Sequence, residues 1–394
     1  MTPAARVQAA VELLDQIVEA AQSNGPAADT LIKRYFGERR YAGSKDRRAV
    51  RELVYAAIRR YGSPPPGGRA AMVGLTQDEP DLGDAFDGSR YGPAPLAANE
   101  TGALPSGLPS WLRAKFADAV DAADIASLSG RAPLDIRVNL NRIDRDTVLA
   151  AIDGAAPGAL SASAVRLQQG FPIEQHPLWR EGLVDIQDEG SQYVVDCCEA
   201  RPSMTVLDLC AGAGGKTLAL YDRMAGEGRL IACDTDRSRL SRLEPRAKRS
   251  AISTIETRLL DPGAESEALS DLADRADIVL VDAPCTGTGT WRRNPEARWR
   301  LTDAAIQRFV ATQRYLLETA APLVKPGGFL VYAVCSLLTE EGDGQIMHFL
   351  QSRSDFSKVP PANHDAAESE AGLVLTPARH GTDGFFFARL QRSC

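Results

Sequence analysis

The spacing of apolar and polar positions divides the chain into stretches with different predicted structures. Apolar residues recur at helical intervals in residues 7–18 and again in residues 48–58, which predicts amphipathic helices within residues 1–60. Residues 61–110 contain nine Gly and eight Pro. Because these residues interrupt regular structure, we predict loops there, with short helices only near residue 70.

A shorter segment of mixed character follows. A Pro-Ser pair is a typical helix start and predicts a helix over residues 111–126. The run at 132–142 predicts a strand, and residues 145–180 predict the rest of a small α+β module. We therefore expect a helical domain at residues 1–128 and a small module at residues 129–180.

The remaining residues, 181–394, alternate short apolar runs with helical stretches. Such alternation predicts an α/β domain with a parallel sheet and crossover helices. Ligands of these sheets bind at the carboxyl ends of the strands, so the loops after the runs should share one crevice. The runs are residues 205–209, 230–233, 278–281 and 329–334.

Charge changes this picture locally. The chain has 45 Lys and Arg against 52 Asp and Glu, a net charge of −7, which argues against a protein that coats nucleic acid by bulk charge. Residues 33–60 nevertheless hold ten basic and three acidic residues, and residues 291–300 hold four Arg, two Trp and one acid. Both segments suit polyanion binding, but a solvated helix face and a Trp-anchored surface loop remain open as alternatives.

Other classes of protein are disfavoured. No apolar run approaches the roughly 18 residues of a membrane helix, and acidic residues interrupt the N-terminal apolar pattern as they would not in a signal peptide. The seven Cys show no paired CxxC spacing. We therefore expect a cytoplasmic protein with reduced thiols, without a metal site, a disulfide framework or an obligate protein partner, most simply a monomer.

The first strand of the α/β domain leads into the glycine-rich sequence CAGAGGKT, residues 210–217. A Walker A loop fails because Cys210 occupies its first glycine position, and a dinucleotide fingerprint fails because Thr217 stands in place of its third glycine. The remaining interpretation is an S-adenosylmethionine loop. Asp234, after the second strand, would accept the ribose hydroxyls, and Asp261, after the third, the adenine amino group. Helix capping or a turn is the alternative role of both.

Two thiols follow the next two strands. The fourth strand ends in Asp282-Ala283-Pro284-Cys285, and the fifth ends before Cys335. Carbon 5 of a pyrimidine is a poor nucleophile, and a thiolate that adds to carbon 6 makes it enamine-like. Asp282 is suitably placed to supply or share a proton at N3. Spacing alone leaves open which cysteine is the nucleophile.

These motifs, taken together, resemble one family, the RNA cytosine-C5 methyltransferases of the Sun/Nop (RsmB-type) group. The helical segment DRRAVRELVYAAIRR (46–60) is similar to the NusB-like RNA-binding domain of the bacterial branch. The implied fold is a class I S-adenosylmethionine-dependent, Rossmann-like methyltransferase domain, preceded by a small α+β RNA-binding module and an all-helical NusB-like domain. The other segments that carry the resemblance are CAGAGGKT (210–217), DTD (234–236), DAPCTGTG (282–289), VYAVCS (331–336), DGFFFARL (383–390), APLDIRVN (132–139) and VDIQDEGSQ (184–192).

The resemblance also implies roles for individual residues. Cys335 would be the nucleophile, Cys285 would help to break the covalent adduct, and Asp282 would serve both catalysis and donor binding. One departure is Ala213, where many members carry Pro. The expected S-adenosylmethionine site comprises Cys210, Ala211, Gly212, Ala213, Gly214, Gly215, Lys216, Asp234, Arg239, Asp261 and Asp282. The expected RNA contacts are Arg47, Arg48, Arg137, Asn139, Arg292 and Arg293.

The expected activity is 5-methylcytosine formation, most simply in small-subunit ribosomal RNA, with transfer RNA as the alternative. DNA cytosine-C5 enzymes use a Glu-Asn-Val motif, which is missing from the sequence, and they would leave Cys335 without a role. A non-catalytic RNA-binding assembly factor on the same fold would be expected to have lost one of the cysteines or the donor loop. The target base must leave its stack to reach a thiol, which favours folded RNA with accessible loops.

Overall fold

The computed structural model describes residues 1–23, 25–362 and 364–394. The chain forms two compact units. The first unit comprises Met1–Lys115 and Trp291–Thr302, and the second comprises Phe116–Thr290 and Asp303–Cys394. This division differs from the three predicted segments, because residues 291–302 belong to the N-terminal unit and the small α+β module shares a unit with the α/β domain.

The first unit is helical, as predicted for residues 1–60. Its core contains the fully buried Leu13, Leu14 and Ile17 of the first helix. A Cβ atom at Gly68 would lie 2.1 Å from the carbonyl oxygen of Val11, so only glycine lets the fourth helix approach the first this closely. The helices are α1 (Pro3–Gln22), α2 (Ala28–Glu38), α3 (Ser44–Arg60), α4 (Gly68–Leu75) and α5 (Ser110–Arg113).

Residues 291–302 stabilise helix ends in this unit. The Arg298 guanidinium donates to the carbonyl oxygens of Ile58 and Arg59 at 2.8 and 3.0 Å. Arg300 donates to the carbonyl oxygen of Ala20, at 3.2 Å. The last carbonyls of a helix have no partner within it, so these arginines satisfy the ends of α3 and α1. For Arg298 and Arg300, the alternative of an anchored loop therefore explains the segment better than polyanion binding does.

The second unit begins with the small module, which contains a four-stranded antiparallel sheet in the order β2-β3-β1-β4. The predicted strand and α+β character are confirmed, but β4 extends the module beyond residue 180. The predicted helix over residues 111–126 is wrong, because the chain leaves α5 and Phe116 forms a β-bridge with Leu338 before the next helix starts. The elements are α6 (Ala122–Ser127), β1 (Leu134–Val138), α7 (Arg145–Ala151), β2 (Ala156–Pro157), β3 (Ala164–Leu167), α8 (Pro177–Arg180) and β4 (Val184–Ile186).

The rest of the unit is built on a nine-stranded sheet. Its order is β11-β12-β13-β9-β8-β5-β6-β7, with β10 paired to β13. The elements are α9 (Glu189–Cys198), β5 (Thr205–Asp208), α10 (Gly215–Arg223), β6 (Arg229–Asp234), α11 (Arg237–Leu240), α12 (Leu243–Arg249), β7 (Glu256–Leu259), α13 (Glu265–Ala268), β8 (Ala276–Asp282), α14 (Asp303–Ala320), β9 (Val324–Val334), α15 (Asp343–Ser352), β10 (Phe356–Lys358), β11 (Ala367–Glu368), β12 (Leu373–Leu375), α16 (Pro377–His380) and β13 (Phe385–Arg392).

The predicted parallel strands are confirmed. The pairs β5–β6, β6–β7, β5–β8 and β8–β9 are parallel, and β13 closes the edge of β9 in the antiparallel sense. The chain passes from β5 to β6 on one side and later to β8 on the other. This change of direction opens a crevice at the carboxyl ends of β5, β6 and β8, where ligands of such sheets bind.

The described residues bear on two other classes of site, membrane spans and metal centres. None of the helices described is long and apolar enough to cross a bilayer. The same residues contain no group of three or more His, Cys, Asp or Glu side chains that could hold a metal ion. All seven cysteines are free thiols, three of them buried (Cys197, Cys198 and Cys233).

Candidate active site

The glycine-rich loop joins β5 to α10 at the crevice. Gly212 and Gly214 have φ angles of +54° and +83°, in the left-handed region that favours glycine. A Cβ atom at Gly214 would lie 2.1 Å from Cδ1 of Leu243, and one at Gly212 would lie 2.7 Å from Nη2 of Arg239. The loop therefore depends on both glycines, and the Arg239 guanidinium lies against it.

Asp234 ends β6 and orders this loop. Its Oδ2 accepts a hydrogen bond from the Gly212 amide at 2.7 Å, and its Oδ1 accepts one from the Asp236 amide at 2.7 Å. Each carboxylate oxygen has a further lone pair. The turn role and the donor-binding role expected for Asp234 are thus compatible. Asp261 follows β7 and is exposed.

Asp208 ends β5 directly beneath the loop. Its side chain is buried, and Oδ2 accepts a hydrogen bond from the Thr217 hydroxyl at 2.7 Å. Burial raises the pKa of Asp208 to about 7, and the negative charge of Asp282 acts in the same direction. The carboxyl therefore changes its protonation state near neutral pH.

Lys216 and Asp282 form an ion pair between α10 and the end of β8. Lys216 Nζ lies 2.8 Å from Asp282 Oδ2. Burial alone would lower the pKa of Lys216, but the interaction with Asp282 outweighs it and leaves that pKa above its ordinary value. The ammonium also lies 5.3 Å from the ring centroid of Phe385, in the C-terminal sequence motif. The glycine-rich loop, through Lys216 at the start of α10, and Asp282 thus belong to one charged cluster.

Cys285 and Cys335 meet beside this cluster. Their sulfur atoms lie 3.4 Å apart, and both side chains are partly exposed. The hydrogen bond to Cys335 and burial raise the pKa of the Cys285 thiol well above its ordinary value. The Lys216 ammonium interacts electrostatically with Cys335. The arrangement therefore favours a Cys285 that keeps its proton.

The loops that carry the cysteines are tied to the C-terminal motif by backbone hydrogen bonds. The Gly289 amide donates to the Cys335 carbonyl at 3.0 Å, and the Gly384 amide donates to the Gly289 carbonyl at 2.9 Å. A Cβ atom at Gly289 would lie 2.1 Å from the Gly384 carbonyl oxygen, so the contact requires glycine. The sequence motifs that surround the two cysteines thus meet in space.

Comparison with known proteins identifies the family. The model of the 16S rRNA methyltransferase RsmB/F family matches residues 196–391, which include the donor loop and both cysteines. A probable ribosomal RNA small subunit methyltransferase B from Synechocystis is 33% identical over 304 residues, which are 72% of this chain and 67% of that protein. The chain belongs to the RsmB/F methyltransferase family. The family assignment confirms the resemblance drawn from the sequence motifs and establishes the chain as a methyltransferase.

One more sequence relative and one solved structure support the family assignment and the fold. The ribosomal RNA small subunit methyltransferase B of Shewanella oneidensis is 32% identical over 302 residues, which are 75% of this chain and 69% of that protein. A solved structure of a methyltransferase homologue from Pyrococcus horikoshii has a TM-score of 0.60 at 25% identity and covers 68% of this chain and 90% of its own. The Rossmann-like methyltransferase fold is therefore confirmed.

Sequence reasoning missed one buried acid, Glu341. It is fully buried, and its Oε1 accepts hydrogen bonds from the Thr286 amide and from Gln313 Nε2, each at 2.9 Å. Its Oε2 accepts hydrogen bonds from the hydroxyls of Ser336 and Thr286. Glu341 stands in a Thr-Glu-Glu-Gly run that is typical of an exposed loop. Nothing in the run distinguishes its buried glutamate from the neighbouring Glu340.

The predicted RNA contacts divide by exposure. Arg47 and Arg48 on α3 are exposed, and so is Arg293, whereas Arg292 is buried. The exposure of Arg47, Arg48 and Arg293 is compatible with the expected RNA contacts. The burial of Arg292 speaks against a direct phosphate contact.

Arg137 and Asn139 in the small module are also buried. The Arg137 guanidinium donates to Gln187 at 2.9 Å and pairs with Asp222. The Asn139 side-chain oxygen Oδ1 accepts a hydrogen bond from the Asn141 backbone amide at 3.2 Å. Their partners lie within the second unit, so this structure assigns both residues to internal packing, contrary to the expectation of RNA contacts.

Proposed function

We propose that the chain forms 5-methylcytosine in small-subunit ribosomal RNA, with S-adenosylmethionine as donor and a covalent Cys335 adduct at cytosine carbon 6. The observation that carries this proposal is the 3.4 Å separation of the Cys285 and Cys335 sulfurs beside the Lys216–Asp282 pair. Two thiols and an acid–base pair are the groups that addition, proton transfer and elimination at a pyrimidine ring require.

The residues of the crevice fit S-adenosylmethionine. The glycine loop has a left-handed backbone at Gly212 and Gly214, and a Cβ atom at Gly215 would meet open space, with nothing within 4 Å. Asp234 presents free lone pairs at one strand end, and Asp261 is an exposed carboxylate at the next. S-adenosylmethionine would supply an electrophilic methyl group on a sulfonium. The positive charge of that sulfonium suits the carboxylates of Asp282 and Asp208, both near the loop.

The chain's own residues then account for the addition at carbon 6, the proton near N3 and the final elimination. The Cys335 thiolate adds to carbon 6, which forms an S–C bond and places electron density on carbon 5 and N3. The Lys216–Asp282 pair holds a proton that N3 can share as this charge develops. After the methyl group is attached at carbon 5, a base must remove the proton from that carbon, and elimination then breaks the S–C bond. We assign to Cys285 the role of assisting this last step, and the 3.4 Å distance between its sulfur and that of Cys335 supports this assignment.

The proposed substrate is ribosomal RNA of the small subunit. The relatives from Synechocystis and Shewanella oneidensis carry that substrate in their names, at about one-third identity. The exposed Arg47 and Arg48 on α3 provide positive charge for phosphate contacts. We propose that the first unit is a NusB-like domain that binds this RNA. Transfer RNA is the competing substrate within the same chemistry.

Product analysis tests the proposal. The purified protein is incubated with methyl-labelled S-adenosylmethionine and either small-subunit ribosomal RNA or transfer RNA, and the nucleosides are separated. We expect label in 5-methylcytosine from ribosomal RNA, complete loss in Cys335→Ala, and full activity in the matched control Cys394→Ala, whose thiol is exposed. Label in another nucleoside, or normal activity of Cys335→Ala, would contradict the proposal.

A further inference from the structure

The segment from Arg237 to Arg249, which forms α11 and α12, carries concentrated positive charge. It contains six basic residues and one acid in thirteen positions, within a chain of net charge −7. Arg237, Arg242 and Lys248 are exposed, and within the described part of the chain none of them forms an ion pair. Their charges therefore face solvent rather than a carboxylate of the protein.

Two other arginines anchor the segment. Arg246 and Arg249 both pair with the buried Asp185 of β4, at 2.5 and 2.8 Å. The Arg249 guanidinium also stacks on the half-buried Trp179, 3.7 Å from its ring centroid. Because two guanidinium groups share one carboxylate, the anchor is itself positive. The segment thus packs against the small module through Asp185 and Trp179. It also keeps an excess of positive charge.

The same segment adjoins the donor loop. Arg246 Nη1 donates to the Ala213 carbonyl at 2.7 Å, and Leu243 packs where a Cβ of Gly214 would lie. α11 begins three residues after Asp234, at the carboxyl end of β6. A ligand on this surface would therefore lie at the same edge of the sheet as the methyl-transfer site.

The exposed cationic side chains of this segment favour a polyanion as its ligand. Exposed cationic side chains suit phosphate oxygens, and several of them on one segment suit a repeating backbone rather than a single anion. Trp179 adds an aromatic face beside the cations, a combination typical of surfaces that contact RNA.

We propose that the exposed cations of residues 237–249, which are Arg237, Arg242 and Lys248, bind the phosphate backbone of the RNA substrate next to the target cytosine. This inference rests on the proposed RNA methyltransferase function and adds a contact surface to it. An acidic protein is the competing partner, and it becomes one of the outcomes of the test.

The test compares two double variants of equal charge change. Arg237→Ala/Arg242→Ala removes two cations from the surface, and Arg201→Ala/Arg275→Ala removes two exposed arginines that precede β5 and β8, at the opposite edge of the sheet. RNA affinity is measured for the full chain by filter binding as a function of salt, together with donor affinity by calorimetry. We expect the first variant to bind RNA more weakly, with a slope of log affinity against log salt smaller by roughly 1.5, and to keep its donor affinity.

The outcomes separate this inference from the proposed function. If the parent protein methylates RNA and both double variants show its affinity and salt slope, the surface is not an RNA contact, and an acidic protein partner remains for it. If the control variant weakens RNA binding as much as the first, the effect is one of net charge and the inference fails. If the parent neither binds nor methylates RNA, the proposed function itself fails.

A second inference rests on Glu341, whose buried carboxylate joins the two cysteine loops. Thr286 adjoins Cys285 and Ser336 adjoins Cys335, and both donate to this one side chain. Gln313 of α14 also binds it and donates to the Pro284 carbonyl at 3.0 Å. We propose that Glu341 is a positioning residue that sets the distance between the nucleophile and the thiol that releases the product.

Variants of Glu341 test this role. Glu341→Gln keeps one acceptor oxygen for the Thr286 amide but replaces the other with a donor, so the fold should survive while the loops shift. We expect kcat to fall by about tenfold to a hundredfold, as for small displacements of reacting groups, with unchanged KM for RNA and unchanged donor affinity. Glu340→Gln is the matched control and should retain the parental kcat. A Glu341→Gln protein that is less stable to heat yet turns over at the parental rate would overturn the positioning role.

Discussion

The sulfur atoms of Cys285 and Cys335 lie 3.4 Å apart although 50 positions separate them in sequence. Parallel pairing of β8 and β9 explains this proximity, because Asp282 lies opposite Ala333 in the register and each cysteine follows two or three residues later. The sheet itself therefore aligns the two thiols.

Gly214 should be more sensitive to substitution than its neighbour Gly215. Gly214→Ala would place a Cβ atom 2.1 Å from Leu243 at a φ of +83°, whereas a Cβ atom at Gly215 would meet nothing within 4 Å. We expect Gly214→Ala to lower the melting temperature and weaken donor binding, and Gly215→Ala to leave the melting temperature unchanged or raise it, since alanine favours helix. Equal melting temperatures for the two variants would contradict this account of the loop.

Lys216 and Asp282 should be coupled in stability. Lys216→Met leaves the Asp282 carboxylate without its ammonium, at a cost below the roughly 3–5 kcal/mol of a fully buried pair because the Asp282 side chain is 31% exposed. Adding Asp282→Asn should recover part of this loss but not the activity. Urea denaturation of both single variants and the double variant measures the coupling. Strictly additive losses in unfolding free energy would show that the pair does not interact.

Asp208 should make stability depend on pH. An acid whose pKa is about 7 in the folded protein and near its ordinary value of 3.8 in the unfolded chain binds its proton more tightly when folded. Its contribution to the free energy of unfolding is therefore lost as pH rises from about 4 to about 7. Asp208→Asn removes this dependence, so the melting temperature of the variant relative to the parent should be higher at pH 8 than at pH 5. The same difference at both pH values would refute the raised pKa.

Arg298 should stabilise the first unit rather than contact RNA. Arg298→Met leaves the carbonyls of Ile58 and Arg59 without this donor, which costs roughly 1–3 kcal/mol for buried groups. The exposed Arg48 is the matched control, and Arg48→Met should change stability by about 0.5 kcal/mol or less. Chemical denaturation measures both. Indistinguishable denaturation curves for the two variants would argue against the structural role of Arg298.

The sequence predicts the catalytic core of this fold well. Buried parallel strands appear in the sequence as short apolar runs. Because the carboxyl ends of parallel strands meet at one edge of a sheet, the residues that follow these runs are predicted to lie together there, namely Asp208, Asp234, Asp282 and Cys335. These inferences need only local patterns and one general property of α/β sheets. They therefore place the crevice, the two thiols and the glycine loop together without further information.

The burial and the partners of individual charged side chains are not predictable in this way. Arg298 and Arg47 both stand in basic runs, yet Arg298 is buried against carbonyls 240 positions away in sequence while Arg47 is exposed. Glu341 likewise acquires its partners from segments far along the chain. Whether such a residue binds RNA or caps a helix depends on long-range packing, which composition and periodicity do not contain.

The central claim is that Cys335 attacks the cytosine and Cys285 releases the product. The most direct measurement is a covalent trap: Cys285→Ala protein is incubated with ribosomal RNA and S-adenosylmethionine, denatured, and digested for mass spectrometry. We predict a denaturant-resistant protein–RNA complex in which the nucleotide is attached at Cys335. Normal turnover of Cys285→Ala without any such complex, or attachment at a residue other than Cys335, would contradict the account.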